Sequence, residues 1–179
     1  MKEDIHEELS IPDGVTVTFA ERKLTVKGPK GEVSREILSP SIQVAIADGA
    51  VQFSVEKATK RENRLLLTYL SHAKNMIKGV EQPWTYTLKI CSSHFPMNVK
   101  LSGQEFSVKK FLGEDTPRKC TLPTDAKVSV NGSDITVESC DIEAAGNVAS
   151  RLELLTRIRD RDLRIFQDGI YITKKAKQK

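Results

Sequence analysis

The chain has 179 residues, 39% of them hydrophobic and 29% charged, with a formal net charge of +4. This hydrophobic fraction is enough for packed cores and excludes a wholly disordered protein, while the length suits one medium domain or two small ones. No stretch approaches the roughly 20 continuous apolar residues that cross a bilayer, and the acidic, polar start of the chain does not resemble a secretory signal. We therefore expect a soluble, cytoplasmic protein with no membrane partner.

The first part of the chain is predicted to form short strands. Apolar and polar residues alternate there with the period of two that a half-buried strand requires. Turn signals at residues 28–31 and at Asp48-Gly49 separate neighbouring strands, and the second signal is typical of a hairpin. The alternating segments are residues 15–19, 24–27, 33–38, 42–46 and 51–55.

A helix is predicted next, because apolar residues recur at helical spacing from about residue 58 to residue 78. Gly79 follows as a suitable C-terminal stop. Residues 84–90 then form another alternating strand, which can complete the sheet before it or the sheet after it. The domain boundary is therefore expected near residues 79–84. The apolar face of the helix comprises Leu66, Tyr69, Leu70, Ala73 and Ile77.

The order of apolar positions then begins again, which indicates an internal duplication. Five positions of the first copy recur 82 residues later, and four more recur 84 residues later. Such matching over four strand segments is hard to obtain by chance. The matched pairs are Val17 and Val99, Phe19 and Leu101, Leu24 and Phe106, Val26 and Val108, Gly31 and Gly113, Val44 and Val128, Ile46 and Val130, Val51 and Ile135, and Phe53 and Val137.

The second copy is predicted to close with a helix over residues 141–159 and a short strand or hairpin over residues 164–173, turning at Asp168-Gly169. Strands in runs with one helix per copy favour an α+β protein of two tandem duplicated domains. Each domain is expected to be a small, mostly antiparallel sheet with one helix packed on a face. The predicted domains are residues 1–82 and residues 83–179.

Recognisable catalytic motifs are missing from the sequence. It has no phosphate-binding P-loop, nucleophile elbow, zinc-protease helix motif or dinucleotide-binding fingerprint. The three cysteines and three histidines are widely spaced, which favours small buried thiols over a disulfide framework or a metal site. We therefore expect no enzyme, no cofactor, no metal and no small-molecule substrate.

The positive charge is concentrated at one end of the chain. Residues 1–82 carry 12 basic and 12 acidic residues, whereas residues 83–179 carry 16 and 12. Within the second half, residues 151–179 hold nine basic residues and only four acidic ones. A polyanion-binding surface requires such a concentration. We therefore expect the second copy to bind the polyanion and the neutral first copy to serve as a scaffold.

Three segments carry motifs more specific than periodicity. They are Val26-Lys-Gly-Pro-Lys-Gly-Glu32, then Ser71-His-Ala-Lys-Asn-Met-Ile-Lys-Gly-Val80 resuming at Ser93-His-Phe-Pro-Met-Asn-Val99, and Arg164-Ile-Phe-Gln-Asp-Gly-Ile-Tyr-Ile172. Together they resemble the sixth large-subunit ribosomal protein family in its archaeal and eukaryotic branch, where eukaryotes count it as the ninth. The length of 179 residues favours an archaeal source. Leu154 departs from the branch's usual glutamine.

The resemblance implies a structural constituent of the large ribosomal subunit that binds large-subunit rRNA near the sarcin–ricin loop, beside the translation-factor site. It also implies neighbouring ribosomal proteins as partners, and main RNA contacts in the C-terminal copy. Arginine suits such contacts because its planar guanidinium binds phosphate bidentately or stacks on a base. The predicted RNA-binding residues are Arg157, Arg159, Arg161, Arg164, Gln167, Gly169, Tyr171, Lys174, Lys175, Lys177, Lys109 and Lys110.

For several of these residues a purely structural role is the alternative to RNA binding. The arginines would then pair with Asp160 and Asp162 on a solvated helix end, and Gly169 would serve only a turn with positive φ. The lysines from 174 to 179 are expected to form a tail that orders only against RNA. The alternative function is a protein–protein adaptor that docks partners through sheet edges, with the basic tail merely solubilising.

Overall fold

The computed structural model describes residues 3–47 and 49–177, with only the backbone of Lys177. The chain divides into two compact units, Met1–Pro83 and Trp84–Lys179. Each unit is an assembly of antiparallel strands with one α-helix, so the predicted α+β class with tandem duplicated domains is confirmed. No helix in the described ranges is both long and apolar enough to cross a membrane.

The first unit places six strands in two sheets, and its helix packs against both of them. One sheet has the strand order β1-β6-β5 and the other has the order β2-β3-β4. The elements are β1 (Glu3–Ser10), β2 (Thr16–Ala20), β3 (Lys23–Gly28), β4 (Gly31–Glu36), β5 (Gln43–Ala47), β6 (Ala50–Ala58) and α1 (Lys60–Glu81).

The second unit repeats this arrangement and adds one strand. Its sheets have the orders β11-β12-β7-β13 and β10-β9-β8. The elements are β7 (Trp84–Cys91), β8 (Asn98–Ser102), β9 (Glu105–Lys109), a 3-10 turn (Phe111–Gly113), β10 (Arg118–Thr121), β11 (Lys127–Asn131), β12 (Asp134–Ser139), α2 (Ile142–Leu155) and β13 (Gly169–Lys177).

Strand register confirms the duplication residue by residue. Val17 lies opposite Val26 in the first unit, and their counterparts Val99 and Val108 lie opposite each other in the second. The pairs Val44–Phe53 and Val128–Val137 agree in the same way. Because side chains alternate between the faces of a strand, a shared register keeps the same positions in both cores.

The match between Gly31 and Gly113 is wrong. Gly31 begins β4 directly after a tight turn, whereas Gly113 lies in the 3-10 turn of a longer connection between β9 and β10. Val26 is paired with Val33, but Val108 is paired with Arg118, so the second copy carries three extra residues here. The turn residues of the two copies therefore differ where their strands agree.

Strand β1 was not predicted, because its four acidic residues outweigh its apolar ones. Alternation is nevertheless present, with Ile5, Glu7 and Leu9 facing inward and half-buried. Its equivalent in the second copy is β7, since β1 pairs with β6 as β7 pairs with β12. The Trp84 strand therefore belongs to the second unit.

Helix α1 begins as the sequence suggests and ends later. Thr59 and Glu62 form a capping box, in which the Thr59 backbone N–H donates to Glu62 Oε2 at 2.8 Å. Gly79 does not stop the helix, because it is buried inside the last turn, and the helix continues to Glu81. Gln82 is extended, as the residue before Pro83 prefers to be.

Candidate nucleic-acid interface

The predicted arginines lie in the connection between α2 and β13, residues 156–168, which we call the arginine loop. Helix α2 ends at Leu155, four residues earlier than predicted, so these arginines do not extend a helical face. The side chain of Thr156 at the helix end accepts a hydrogen bond from the Ile170 backbone N–H at 2.8 Å. This hydrogen bond joins the end of α2 to the start of β13. The exposed arginines of the loop are Arg157, Arg159, Arg161 and Arg164.

Arg118, which the sequence did not single out, holds the start of the arginine loop. Its Nη1 donates to the carbonyl oxygens of Leu155 and Arg157, at 2.9 and 3.2 Å. Its other nitrogens bind Glu114 in a bidentate pair at 2.9 and 2.6 Å, and this hydrogen bonding holds the pKa of Glu114 below its ordinary value. Its guanidinium also lies 4.4 Å from the centre of the buried Phe111 ring. Arg118 thus caps the carbonyl end of α2 and joins it to the β9–β10 connection.

Asp168 holds the other end of the arginine loop. Asp168 is buried, with only 2% of its surface exposed. Oδ1 accepts the backbone N–H groups of Ser93 and of His94, the latter at 3.0 Å, and Oδ2 lies 2.6 Å from His94 Nδ1. Burial acts to raise the pKa of Asp168, but the hydrogen bonds from His94 and Ser93 outweigh it and lower this pKa. Asp168 is therefore a fixed acceptor for the segment after β7.

The hairpin predicted at Asp168-Gly169 does not form. Residues 164 and 165 lie in a turn and residue 166 in irregular chain, and β13 pairs instead with β7, with Ile170 opposite Ile90. The reason is a long-range contact. One edge of β7 pairs with β12, and β13 pairs with the other edge, where Ile170 becomes buried. The predicted closing strand is confirmed, and it extends to Lys177.

A ring stack connects the loop with the segment that Asp168 fixes. His94 stacks on Phe166 with ring centres 4.8 Å apart, and the Arg161 guanidinium lies 4.8 Å from the same ring. Phe166 is half-buried by these neighbours, whereas Tyr171 on β13 is 40% exposed. Tyr171 is therefore the aromatic side chain more open to a stacking base.

Within the arginine loop, Arg164 has an acidic partner. Arg164 Nη2 lies 2.7 Å from Asp162 Oδ2, as the purely structural alternative predicts. This hydrogen bond raises the pKa of Arg164 and lowers that of Asp162. The Arg164 side chain is 90% exposed, so the pair contributes little to stability. Gln167 lies beside it and donates to the Arg164 carbonyl oxygen at 3.3 Å.

A surface cleft of about 560 Å³ brings the two connections together. It contains three guanidinium groups and two carboxylates, so its lining carries an excess of positive charge. Open arginine-lined concavities suit phosphate, because guanidinium is weakly hydrated and binds oxygen pairs. The residues that line it are Leu112, Glu114, Arg118, Ile158, Arg159, Asp160 and Arg161.

The predicted lysines are placed in two other regions. Lys109 ends β9 and Lys110 follows it with a left-handed φ of 59°, both exposed at the start of the connection that leads to Arg118 on β10. Lys174 and Lys175 are exposed on β13, and Lys175 borders a cavity at the start of α2. The expected disordered tail is wrong here, because Lys174 is paired with Thr87 of β7. The Lys177 side chain and Lys179 lie outside the described residues.

Gly169 is buried, and its φ of 154° is a backbone conformation that residues with a side chain rarely adopt. A Cβ atom there would lie 3.4 Å from Thr156 Oγ1 and 3.4 Å from the Tyr171 ring, which is ordinary van der Waals contact. The backbone conformation, rather than a lack of space, therefore favours glycine at this position.

The structure thus consists of two α+β copies, and the second presents an arginine loop that is fixed at both ends. The chain matches the profile of the ribosomal protein L6 family over residues 11–82 and 95–169, one segment in each unit. The chain belongs to this family.

Curated relatives agree with this assignment. The large ribosomal subunit protein uL6 of Nanoarchaeum equitans is 44% identical over 177 residues, covering 94% of this chain and 92% of that protein. The same protein of Natronomonas pharaonis is 41% identical over 166 residues, covering 93% and 94%. That of Methanospirillum hungatei is 40% identical over 170 residues, covering 95% and 97%. Membership confirms the resemblance drawn from the three motifs, and with it a structural ribosomal protein rather than an enzyme.

Proposed function

We propose that the chain is a structural constituent of the large subunit of a cytoplasmic, archaeal ribosome, where it binds rRNA near the sarcin–ricin loop, beside the translation-factor site. Family membership supports the ribosomal role, and the arginine loop supports the second unit as the rRNA-binding part. The first unit, which is electrically neutral over residues 1–82, serves as the scaffold. Neighbouring ribosomal proteins complete the environment.

The arginine loop is the observation that carries this proposal. Arg118 and Asp168 fix its ends to the body of the unit, so exposed guanidinium groups are held in place rather than on mobile chain. Preorganised donors lose less conformational entropy on binding. Recognition then rests on the shape and phosphates of A-form RNA, because its major groove is too narrow for side chains to read.

The remaining predicted contacts divide around this loop. We place Arg159 and Arg161 at the cleft as phosphate ligands, with Lys109 and Lys110 on the neighbouring connection. Tyr171 would stack on a base, and Lys174, Lys175 and Lys177 would follow the backbone along β13. Arg157, Arg164 and Gln167 complete the loop surface, and Gly169 shapes it from inside.

The proposal is tested by binding of an rRNA fragment that contains the sarcin–ricin region. Neutralising about four phosphates gives a slope of roughly −3 for log affinity against log salt. Arg159→Glu with Arg161→Glu should weaken binding at least about tenfold and reduce that slope. The matched control, Arg61→Glu with Arg64→Glu, makes the same charge change on α1 of the neutral unit and should leave affinity nearly unchanged.

Two outcomes contradict the proposal. Affinity that does not depend on salt removes the electrostatic mechanism. An equal loss of affinity in both double variants shows that the total charge matters and that the loop does not.

The adaptor alternative makes a different prediction for the double variant Lys174→Gln with Lys175→Gln. This variant should still bind its protein partners when no RNA is present. These substitutions test the basic residues better than a chain that ends at Ile172, because such a truncation also removes half of β13 from the sheet.

A further inference from the structure

The two copies differ at one sheet edge. Strand β7 lies between β12 and β13, whereas its equivalent β1 is paired only with β6 among the described residues. The register makes the comparison specific: Leu9 lies opposite Val51 as Leu88 lies opposite Ile135. Leu88 has Ile172 of β13 on its other side. Within the described chain, no strand occupies that position beside β1.

The backbone of β1 presents hydrogen-bonding groups at this edge. Ile11 N donates to Gly49 O at 2.8 Å, which makes these two residues a hydrogen-bonded pair of the antiparallel ladder. Such pairs alternate along the strand, so the N–H and C=O of Leu9 and Glu7 point toward β6. Those of His6 and Glu8, one residue out of phase, point away from the sheet. The edge therefore offers a repeating template for another strand.

All the formally charged residues of β1 are acidic. It carries Glu3, Asp4, Glu7 and Glu8 and no lysine or arginine. Two copies of this strand would place acidic groups opposite acidic groups, which disfavours pairing of the chain with itself. RNA would be repelled for the same reason. An extended segment with lysine or arginine would instead gain both backbone hydrogen bonds and charge attraction.

We propose that the free edge of β1 binds an extended, basic segment of a partner protein by antiparallel strand addition. The second copy shows the intended geometry, because β13 occupies the equivalent edge and itself bears Lys174, Lys175 and Lys177. Strand β7 carries no acidic residue, since its added strand is supplied by the same chain. Strand β1 would instead pair with a strand of another protein, and charge attraction would favour a basic strand over other strands. This interaction is distinct from the proposed rRNA contacts in the second unit.

The competing hypothesis is that acidic residues only protect an exposed edge from aggregation. The two hypotheses differ in whether a basic strand binds. A suitable probe is a synthetic nine-residue peptide with the sequence of β13, Gly-Ile-Tyr-Ile-Thr-Lys-Lys-Ala-Lys, added to the full-length chain. The control peptide has glutamate in place of each lysine.

Binding is measured by fluorescence anisotropy, and its location by amide hydrogen exchange. The basic peptide should bind and slow exchange of the His6 and Glu8 amides, and the acidic peptide should do neither. Asp4→Lys with Glu8→Lys should weaken the basic peptide about tenfold. The control Asp13→Lys with Glu21→Lys makes the same charge change at two turns of the same unit and should bind normally.

A backbone test separates strand addition from simple charge attraction. His6→Pro removes an N–H that points away from β6, so pairing with β6 should survive while peptide binding is lost. Unchanged exchange in α1 shows that this variant is folded. The proposal is overturned if the basic peptide fails to bind, if it binds without protecting His6 and Glu8, or if the two double variants bind it equally. Sedimentation showing dimers linked through β1 would also overturn it.

Discussion

The two copies share a core and differ in how their strands are connected and bordered. Both use the same register between β2 and β3 and between β8 and β9, and the same helix position. Among the described residues, the second copy alone has three extra residues before β10, the arginine loop after its helix, and an added strand. Asp168 and β13 belong to these additions, and Arg118 begins β10 directly after the extra residues. The duplicated part therefore supplies the scaffold, and the added part supplies the charged surface.

The largest difference between the copies is the dependence on β13. A chain that ends at Asp168 loses the strand that covers β7, including the fully packed Ile170. The second unit should lose more than the about 2–5 kcal/mol that one buried isoleucine contributes, and unfold at room temperature. The first unit, which has no such strand among its described residues, should keep slow amide exchange in α1. If both units exchanged alike, they would not be independent copies.

The next largest effect is expected at Asp168. Asp168→Asn leaves backbone donors of Ser93 and His94 with a weaker acceptor in a buried site, which should cost about 1–3 kcal/mol. Urea unfolding of the second unit measures this loss, and faster exchange of the His94 amide should accompany it. The control Asp162→Asn changes a carboxylate that is 39% exposed in the same loop and should leave stability nearly unchanged. Equal losses in the two variants would contradict the role assigned to Asp168.

A smaller effect is expected at Arg118. Arg118→Gln removes the donors for the Leu155 and Arg157 carbonyl oxygens, which should cost about 1 kcal/mol. RNA affinity should fall as well, since the loop start is no longer fixed. Lys119→Gln is the control, because it breaks only an exposed pair with Glu105. Normal RNA affinity in Arg118→Gln would show that anchoring the loop is unnecessary.

The smallest effect is a difference in acid stability. The pKa of Asp168 is lowered in the folded protein, so the folded state favours the charged carboxylate. Its contribution is present above the ordinary value of 3.8 and is lost as pH falls through the lower folded pKa. The second unit should therefore lose stability below about pH 4, and Asp168→Asn should remove that part of the pH dependence. An unchanged acid profile in the variant would exclude Asp168 as its cause.

Local patterns account for what could be predicted from the residues. Alternation of period two located the strands around Val17, Leu24 and Val51, and helical spacing located both helices, because each pattern depends on neighbours in the chain. The alternation did not reveal β1, because acidic residues outnumber Ile5 and Leu9 there. The helical pattern placed the end of α1 at Gly79, which is wrong because packing overrides the low helix propensity of glycine.

The sequence by itself determined the duplication, the α+β class, the concentration of basic residues in the second copy and the family. These follow from spacing, composition and motifs that are read along the chain. Only the tertiary structure decided that Asp168 fixes the segment of Ser93 and His94, up to 75 residues away, and that Arg118 caps α2. It also decided that β13 fills the edge of β7 while β1 stays open among the described residues. Such contacts join residues that no local period relates, since a hydrogen bond or a strand pair depends on distance in space.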